Sequence, residues 1–298
     1  MERGGFRYDT APIPQPGPGE ALIRVLVCGV CSSDMGAWRR GIGQESIFGH
    51  EVVGIVEELG EGVTQVQAGD RVTGCIMQGY REYTVASADA LIPVPEVLSD
   101  REAIVEPYVC LISGIRRLAP PVGMPAAVVG AGYMGLGLIQ LLKLYGAGPV
   151  TAVDTVPGAL ETARQFGADT ALMPEEAEGM QFPVVFEAAG TQSALDLSYQ
   201  LCAQYGTMVA VGYHPCRREV DMGHWASGAF ATIAAFEYRR PNQLEYMREA
   251  LGAAAAGTLH TGQTMTHEFS FGQLEEAFRY HSEKLDGYIK GCVRLSAR

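Results

Sequence analysis

Positive charge is scarce in this chain: 22 Lys and Arg stand against 34 Asp and Glu over 298 residues, a formal net charge of −12. That deficit argues against a nucleic-acid partner, because phosphate binders concentrate Lys and Arg. It argues equally against an anchor on an anionic membrane surface. Long apolar runs are also missing, and none approaches the roughly 18 residues needed to span a bilayer. The opening residues, Met1-Glu2-Arg3-Gly4-Gly5, have no apolar stretch of the signal-peptide kind, so the expected location is cytoplasmic. Cysteine is thinly spread. The seven thiols are odd in number and scattered, which suits a reducing compartment. Only one C-x-x-C is present, Cys28/Cys31, with no second pair to complete a four-thiolate metal site. Internal repeats and low-complexity segments are absent as well. What remains is 47% hydrophobic and 19% charged, an ordinary folded composition in a chain long enough for two domains.

Two textures follow one another. Over residues 20–95, short β-branched runs at 21–27, 52–56, 70–73 and 82–85 are punctuated by Pro and Gly, the pattern of an all-β, barrel-like unit. Past Ser113, strands alternate with helical patterns: strands at 126–129, 150–153, 184–187 and 207–211, helices at 135–145, 158–166 and 193–205. This βαβαβαβ series marks a doubly wound parallel sheet. An Ala-rich helix closing at Gly257, a helix at 273–282 and a strand at 288–295 complete the chain.

Within the second texture, Val128-Val129-Gly130-Ala131-Gly132-Tyr133-Met134-Gly135 is a strand feeding a glycine-rich turn and a helix. A glycine pattern alone is weak evidence, but this context is the one that binds a dinucleotide. Gly130 allows the tight turn, Gly132 the approach of a pyrophosphate, and Gly135 close helix–strand packing. The first-turn N–H groups at Tyr133 and Met134 face the phosphates. Asp154 ends the next strand, where a carboxylate accepts from ribose hydroxyls and repels a 2′-phosphate, which predicts NAD over NADP.

In the first texture, Cys31 and the run Gly49-His50-Glu51-Val52-Val53-Gly54 bring together a thiolate, an imidazole and a carboxylate, donors that zinc prefers. Cys28 reads as a small hydrophobe at a strand end. Glu106, in Glu106-Pro107-Tyr108, closes the apolar segment 103–105. A carboxylate buried there needs a cation, unless it merely starts a helix beside Pro107. The remaining histidines show no mutual ligand spacing. By default they are surface or core residues; His214 follows the strand ending at Val211, near which a nicotinamide could lie, and His224 and Trp225 line a pocket or simply pack. Trp38-Arg39-Arg40 and Tyr238-Arg239-Arg240 offer hydrogen bonds to a polar substrate or simply face solvent.

Taken together, these motifs resemble the zinc-containing branch of the medium-chain dehydrogenase/reductase (alcohol dehydrogenase) family. Residues 14–20, Cys31 to Asp34, the Gly-His-Glu signature, Ala68-Gly69-Asp70-Arg71-Val72, Glu106-Pro107, the glycine turn and Phe186-Glu187-Ala188-Ala189-Gly190 all carry the likeness. Glu106-Pro107 in place of a ligand cysteine is similar to the polyol (sorbitol) and threonine dehydrogenase branches. The resemblance implies an α/β fold: a GroES-like β-barrel catalytic domain over 1–113, a Rossmann NAD-binding domain over 114–245, and a return to the catalytic domain over 246–298. It implies one catalytic zinc held by Cys31, His50 and either Glu51 or Glu106, with Ser33 passing the substrate proton onward. Homodimers or homotetramers are expected, the run Phe230-Ala231-Thr232-Ile233-Ala234-Ala235-Phe236 supplying an edge. Three departures stand out. Only Cys75 lies between Arg71 and Tyr83, where relatives carry a four-cysteine structural-zinc lobe. Barely ten residues precede the Pro-rich element, and Gly36 occupies the place of a relay histidine.

The function expected is NAD-dependent, zinc-assisted oxidation of a secondary alcohol, the small-molecule partner being a polyol, sugar, cyclitol or amino alcohol. Two other readings stay open: a zinc-free quinone or enone reductase of the same superfamily, and a non-catalytic dinucleotide-binding protein.

Overall fold

A computed structural model describes residues 5–39, 48–118 and 122–296. Arg40, one of the polar residues considered for substrate contact, lies outside them. The chain forms two compact units, Met1–Pro107 with Tyr238–Arg298, and Tyr108–Glu237, where the sequence reading drew its lines at 113 and 245.

The first unit begins with β1 (Glu20–Gly29), α1 (Ser32–Arg39), β2 (Val52–Leu59), β3 (Arg71–Gly74), β4 (Tyr83–Ser87) and β5 (Leu91–Pro93). β1 is buried on both faces except at Glu20 and Arg24, which explains why the rest of Ala21 to Val27 is apolar. It pairs antiparallel with both β2 and β4. Gly54 of β2 lies hard against β1, where a Cβ would stand 2.5 Å from Ile23 Cγ2.

The second unit runs through α2 (Tyr108–Arg116), β6 (Ala126–Val129), α3 (Tyr133–Leu144), β7 (Val150–Val153), α4 (Pro157–Gln165), β8 (Thr170–Leu172), β9 (Phe182–Glu187), α5 (Gln192–Leu201), β10 (Cys202–Ala210), α6 (Met222–Gly228) and β11 (Ala231–Ala234). α2 belongs here because Tyr108 and Leu111 pack on Gly137 of α3, and Gly114 on Val209 and Ala235. The strands are parallel in the order β11-β10-β9-β6-β7-β8. The order reverses between β6 and β9, the position at which doubly wound sheets open a ligand crevice. β6 and β7 are buried throughout, as central parallel strands must be. Val129, Val153, Phe182, Val185, Leu195, Met208 and Phe230 share one core.

One expectation fails here. The helix read over 193–205 stops at Leu201, and the chain enters β10 at once, Cys202 pairing with Phe182. Tyr205-Gly206 imitates a helix C-terminus, but Tyr205, at φ +62°, lies within an irregular stretch of strand. Cross-strand pairing has overridden the local helical pattern.

The chain then returns to the first unit as α7 (Arg240–Ala255), β12 (Met265–Ser270), α8 (Leu274–Glu283) and β13 (Lys290–Arg294). β13 pairs antiparallel with β1 and parallel with β12, giving the order β12-β13-β1-β2-β3-β5 with β4 also on β1. Trp38, counted among the possible substrate contacts, instead packs in this unit's core with Ile23, Val25, Val52, Tyr80 and Phe278. Among the described residues, no helix is long and apolar enough to cross a membrane.

Candidate metal centre and dinucleotide turn

Ligand atoms of Cys31, His50 and Glu51 all lie within 4.8 Å of one another. Cys31 sits between β1 and α1. His50 and Glu51 stand just ahead of β2. Because those two residues precede the strand, pleat alternation does not separate their side chains, contrary to what strand geometry alone would suggest. The Ser33 hydroxyl donates to Cys31 Sγ at 3.3 Å. His50 Nδ1 lies 3.6 Å from Asp34 Oδ1, and its Nε2 3.9 Å from Glu106 Oε2. Asp34 is itself buried and accepts from the Tyr80 hydroxyl at 3.3 Å. Glu106 therefore faces the imidazole nitrogen that Asp34 leaves open, but it is not part of the three-residue group.

The electrostatics follow from this crowding. Burial opposes a charge on His50, yet contacts with Asp34 and Cys31 and the charges of Cys31 and Glu106 prevail and push it up to about 12. Burial pushes Glu106 up to about 7, against the pull of His50 and with the repulsion of Glu51. The acidic groups crowded around His50 thus favour positive charge at this point.

Cys28 stays outside the ligand set. It is fully buried, and burial holds its thiol well above the usual range. Its Sγ fills the space where a Cβ at Gly49 or Gly79 would go, at 2.8 and 2.6 Å. Gly49, at φ +93°, is thus required both for the turn and for the sulfur.

Sequence reasoning missed Lys290. This buried lysine donates from Nζ to Glu51 Oε1 at 2.6 Å, both side chains being at most 4% exposed. Burial works against the ammonium, but the charges of Glu51 and Cys31 outweigh it and raise its pKa. A signal was present: one cation inside the apolar run Tyr288-Ile289-Lys290-Gly291-Cys292-Val293 needs a buried anion. Glu51 Oε2 is buried with no hydrogen-bond partner among the described residues. With one oxygen neutralised by Lys290 and the other still requiring a positive neighbour, the thiolate–imidazole–carboxylate set fits zinc.

In the second unit, Gly130 has φ +100° and backs directly onto Ala189. A Cβ at Gly135 would come within 1.9 Å of Gly130 O, and Gly132 has open space. α3 starts after Gly132 with no side-chain cap, so its first N–H groups remain available to an anion. The Tyr133 ring turns inward and meets Tyr108 edge-on at 6.2 Å, leaving its backbone as the part that faces the turn. Asp154 accepts from Ala131 N at 2.7 Å and from Val156 N at 2.9 Å.

Beyond the switch point, fully buried Glu187 at the end of β9 accepts from Ala189 N, Gly190 N and His214 Nε2, the last at 2.8 Å. Arg218 Nε donates to His214 Nδ1 at 3.0 Å, so Nδ1 is the accepting nitrogen and Nε2 the one that donates to Glu187. The His224 ring packs on Phe230 and lies 3.3 Å from Tyr199 O.

Comparison with known proteins gives the family. The alcohol dehydrogenase GroES-like domain matches residues 17–96 and the zinc-binding dehydrogenase domain matches residues 134–255. The chain belongs to the zinc-type medium-chain alcohol dehydrogenase family. It is an oxidoreductase. It is 26% identical to the sorbitol dehydrogenase of Gallus gallus, over 92% of this chain and 90% of that one. In fold it resembles a zinc-binding dehydrogenase of Sinorhizobium meliloti 1021 bound to NADP, with TM-score 0.87, 21% identity and coverage of 99% and 97%. It likewise resembles the 2R,3R-butanediol dehydrogenase of Bacillus subtilis, with TM-score 0.84, 24% identity and coverage of 99% and 97%. The GroES-like and Rossmann folds expected of the family are those of the first and second units.

Proposed function

We propose that this enzyme catalyses NAD-dependent, zinc-assisted oxidation of a secondary alcohol to a ketone, the substrate being a polyol, sugar, cyclitol or amino alcohol. The observation that carries this reading is the Cys31–His50–Glu51 group, with a buried oxygen on Glu51 that has no hydrogen-bond partner among the described residues. Similarity to a sorbitol dehydrogenase supports the polyol class.

In this reading Cys31, His50 and Glu51 hold one zinc per chain, with Glu106 beside His50 Nε2. Bound there, the ion supplies Lewis-acid activation of the alcohol. Ser33 Oγ, next to Cys31 Sγ, would accept the alcohol's proton while passing its own to water or to a ribose hydroxyl of the cofactor. Glu106, 3.9 Å from His50 Nε2, is a second carboxylate within reach of the site. Asp154 uses two lone pairs on backbone N–H groups. A carboxylate has about four, so two remain for the ribose hydroxyls of NAD.

Metal analysis, followed by an NAD-coupled screen of polyols, sugars and amino alcohols, tests the proposal. One zinc per chain and turnover of a member of these classes is the expected result. Reduction of quinones or enones by protein containing no zinc would replace it with the reductase reading. We propose further that the enzyme self-associates through β11, which lies at the edge of its sheet with Ala231, Thr232 and Ala234 exposed. A mass measurement giving only the 31.9 kDa monomer at micromolar concentration would exclude this.

A further inference from the structure

α8 presents a stripe at the spacing i, i+3, i+4 and i+7: Leu274, Ala277, Phe278 and His281, all buried. A core-facing helix fills such a stripe with apolar residues, so the imidazole at the fourth position breaks the pattern. Its partners show what it does there. His281 Nε2 lies 3.0 Å from Ser32 Oγ, and its Nδ1 3.3 Å from the Tyr288 hydroxyl. Ser32 is the first residue of α1 and the immediate neighbour of Cys31.

α1 meets α8 at a second point, where Trp38 packs edge-on against Phe278 with centroids 5.8 Å apart. That contact is apolar and tolerates sliding and rotation. The Ser32–His281 hydrogen bond is directional and does not. On the other side of Cys31, Val30 N donates to Gly291 O at 2.9 Å. The cysteine is thus bracketed by hydrogen bonds on both neighbours, each to the C-terminal stretch of the chain.

We propose that His281 is a positioning residue for the metal centre, fixing the direction of Cys31 Sγ through Ser32. This rests on the zinc reading above. Rotation of α1 about its packing contact swings the Cys31–Ser32 peptide, and with it the sulfur. The hydrogen bond to His281 removes that freedom, and Tyr288 holds the imidazole from behind.

The test uses full-length protein loaded with zinc or cobalt, in the variants Ser32→Ala, His281→Phe, His281→Gln and the double Ser32→Ala/His281→Phe. Zinc loss to excess EDTA should quicken about three- to tenfold in Ser32→Ala and in His281→Phe, somewhat below the effect of removing a partner bonded to a ligand itself. The thiolate-to-cobalt absorption band should change in the same two variants. The double variant should be no faster than the singles, because one interaction is removed twice. His281→Gln, which keeps a donor, should recover much of the loss. Unchanged zinc release and an unchanged cobalt spectrum in Ser32→Ala would overturn the proposal, as would effects that multiply in the double variant. Ser32 is exposed, so its variant decides the matter even if His281→Phe misfolds. Wild-type protein that takes up neither metal would overturn the zinc reading and this one with it, whereas normal uptake with unaltered variants overturns the positioning role alone.

Discussion

In the dinucleotide turn, Gly130, Gly132 and Gly135 lie within one short stretch, and Asp154 joins them from the end of the next strand. The metal centre draws on Cys31, on His50 and Glu51, on Glu106, and on Lys290 from near the other end of the chain. The turn depends on backbone: positive φ, missing Cβ atoms and open helix N–H groups. The proposed metal centre depends on charge, with Cys31, Asp34, Glu51 and Glu106 outnumbering the cationic His50 and Lys290. A contiguous backbone site is robust to charge changes and sensitive to volume. A dispersed, charge-dependent site is the reverse.

The sharpest way to break this comparison is Cys31→Ala. It removes a donor, so zinc affinity and alcohol oxidation should fall together by more than about a hundredfold, since even outer partners of a ligand are worth 10–100-fold. Dinucleotide binding by the second unit should persist. Elemental analysis and NADH titration check both halves. Full zinc and full activity in this variant would remove the basis of the catalytic assignment.

Lys290→Met probes the charge balance directly. It leaves Glu51 as an uncompensated buried anion, at a cost of about 3–5 kcal/mol. Adding Glu51→Gln should recover most of that stability while leaving zinc binding impaired. Denaturant unfolding of the single and double variants reads the difference. A loss below about 1 kcal/mol in Lys290→Met would mean that the pair is not the counterweight described.

The same contrast decides what was legible in the sequence. The parallel sheet and its glycine turn could be read because strand, turn and helix succeed one another locally, and strands 126–129 and 150–153 coincide with β6 and β7. The misjudged helix end at Leu201 had a local imitation of a cap that only pairing with Phe182 overrules. In the metal centre, the grouping of Cys31, His50 and Glu51 followed from their chemistry and from family likeness. Their supports did not. Lys290 and His281 act across more than two hundred residues of chain. No spacing rule links such positions, and what marks them is only that a polar residue occupies an apolar pattern.

Asp154→Ser sharpens the comparison from the side of the turn. The carboxylate is the one charged group the turn uses, so its removal should weaken NAD binding and admit the 2′-phosphate. Charge-assisted hydrogen bonds contribute about 1.5–3 kcal/mol, which corresponds to a shift of roughly ten- to a hundredfold in the ratio of NAD to NADP affinity. Fluorescence titration with NADH and NADPH measures it. Tighter binding of NADPH than NADH by the unmodified protein would contradict the role given to Asp154.

The effects of pH have opposite signs in the two units. Glu106 is raised in the folded state to about 7 from the ordinary 4.5. The native protein therefore holds more protons than the unfolded chain between those values, and this contribution to stability, complete below 4.5, is lost as pH rises through 7. Asp169 is lowered instead, because it accepts from Val150 N at 2.7 Å and pairs with Lys143. Its contribution is present above the ordinary carboxylate pKa and is lost as pH falls through the lowered one. With 42% of its side chain exposed, its pairing with Lys143 is screened and is worth less than about 1 kcal/mol. In EDTA-treated protein, Glu106→Gln should gain stability relative to wild type as pH climbs from 5 to 7.5. Asp169→Asn should be slightly less stable at neutral pH and converge with wild type in acid. Thermal midpoints across pH 3.5–7.5 test both arms. If Glu106→Gln keeps a constant offset from wild type over that range, the raised carboxyl, and with it the picture of a site crowded with negative charge awaiting a cation, is wrong.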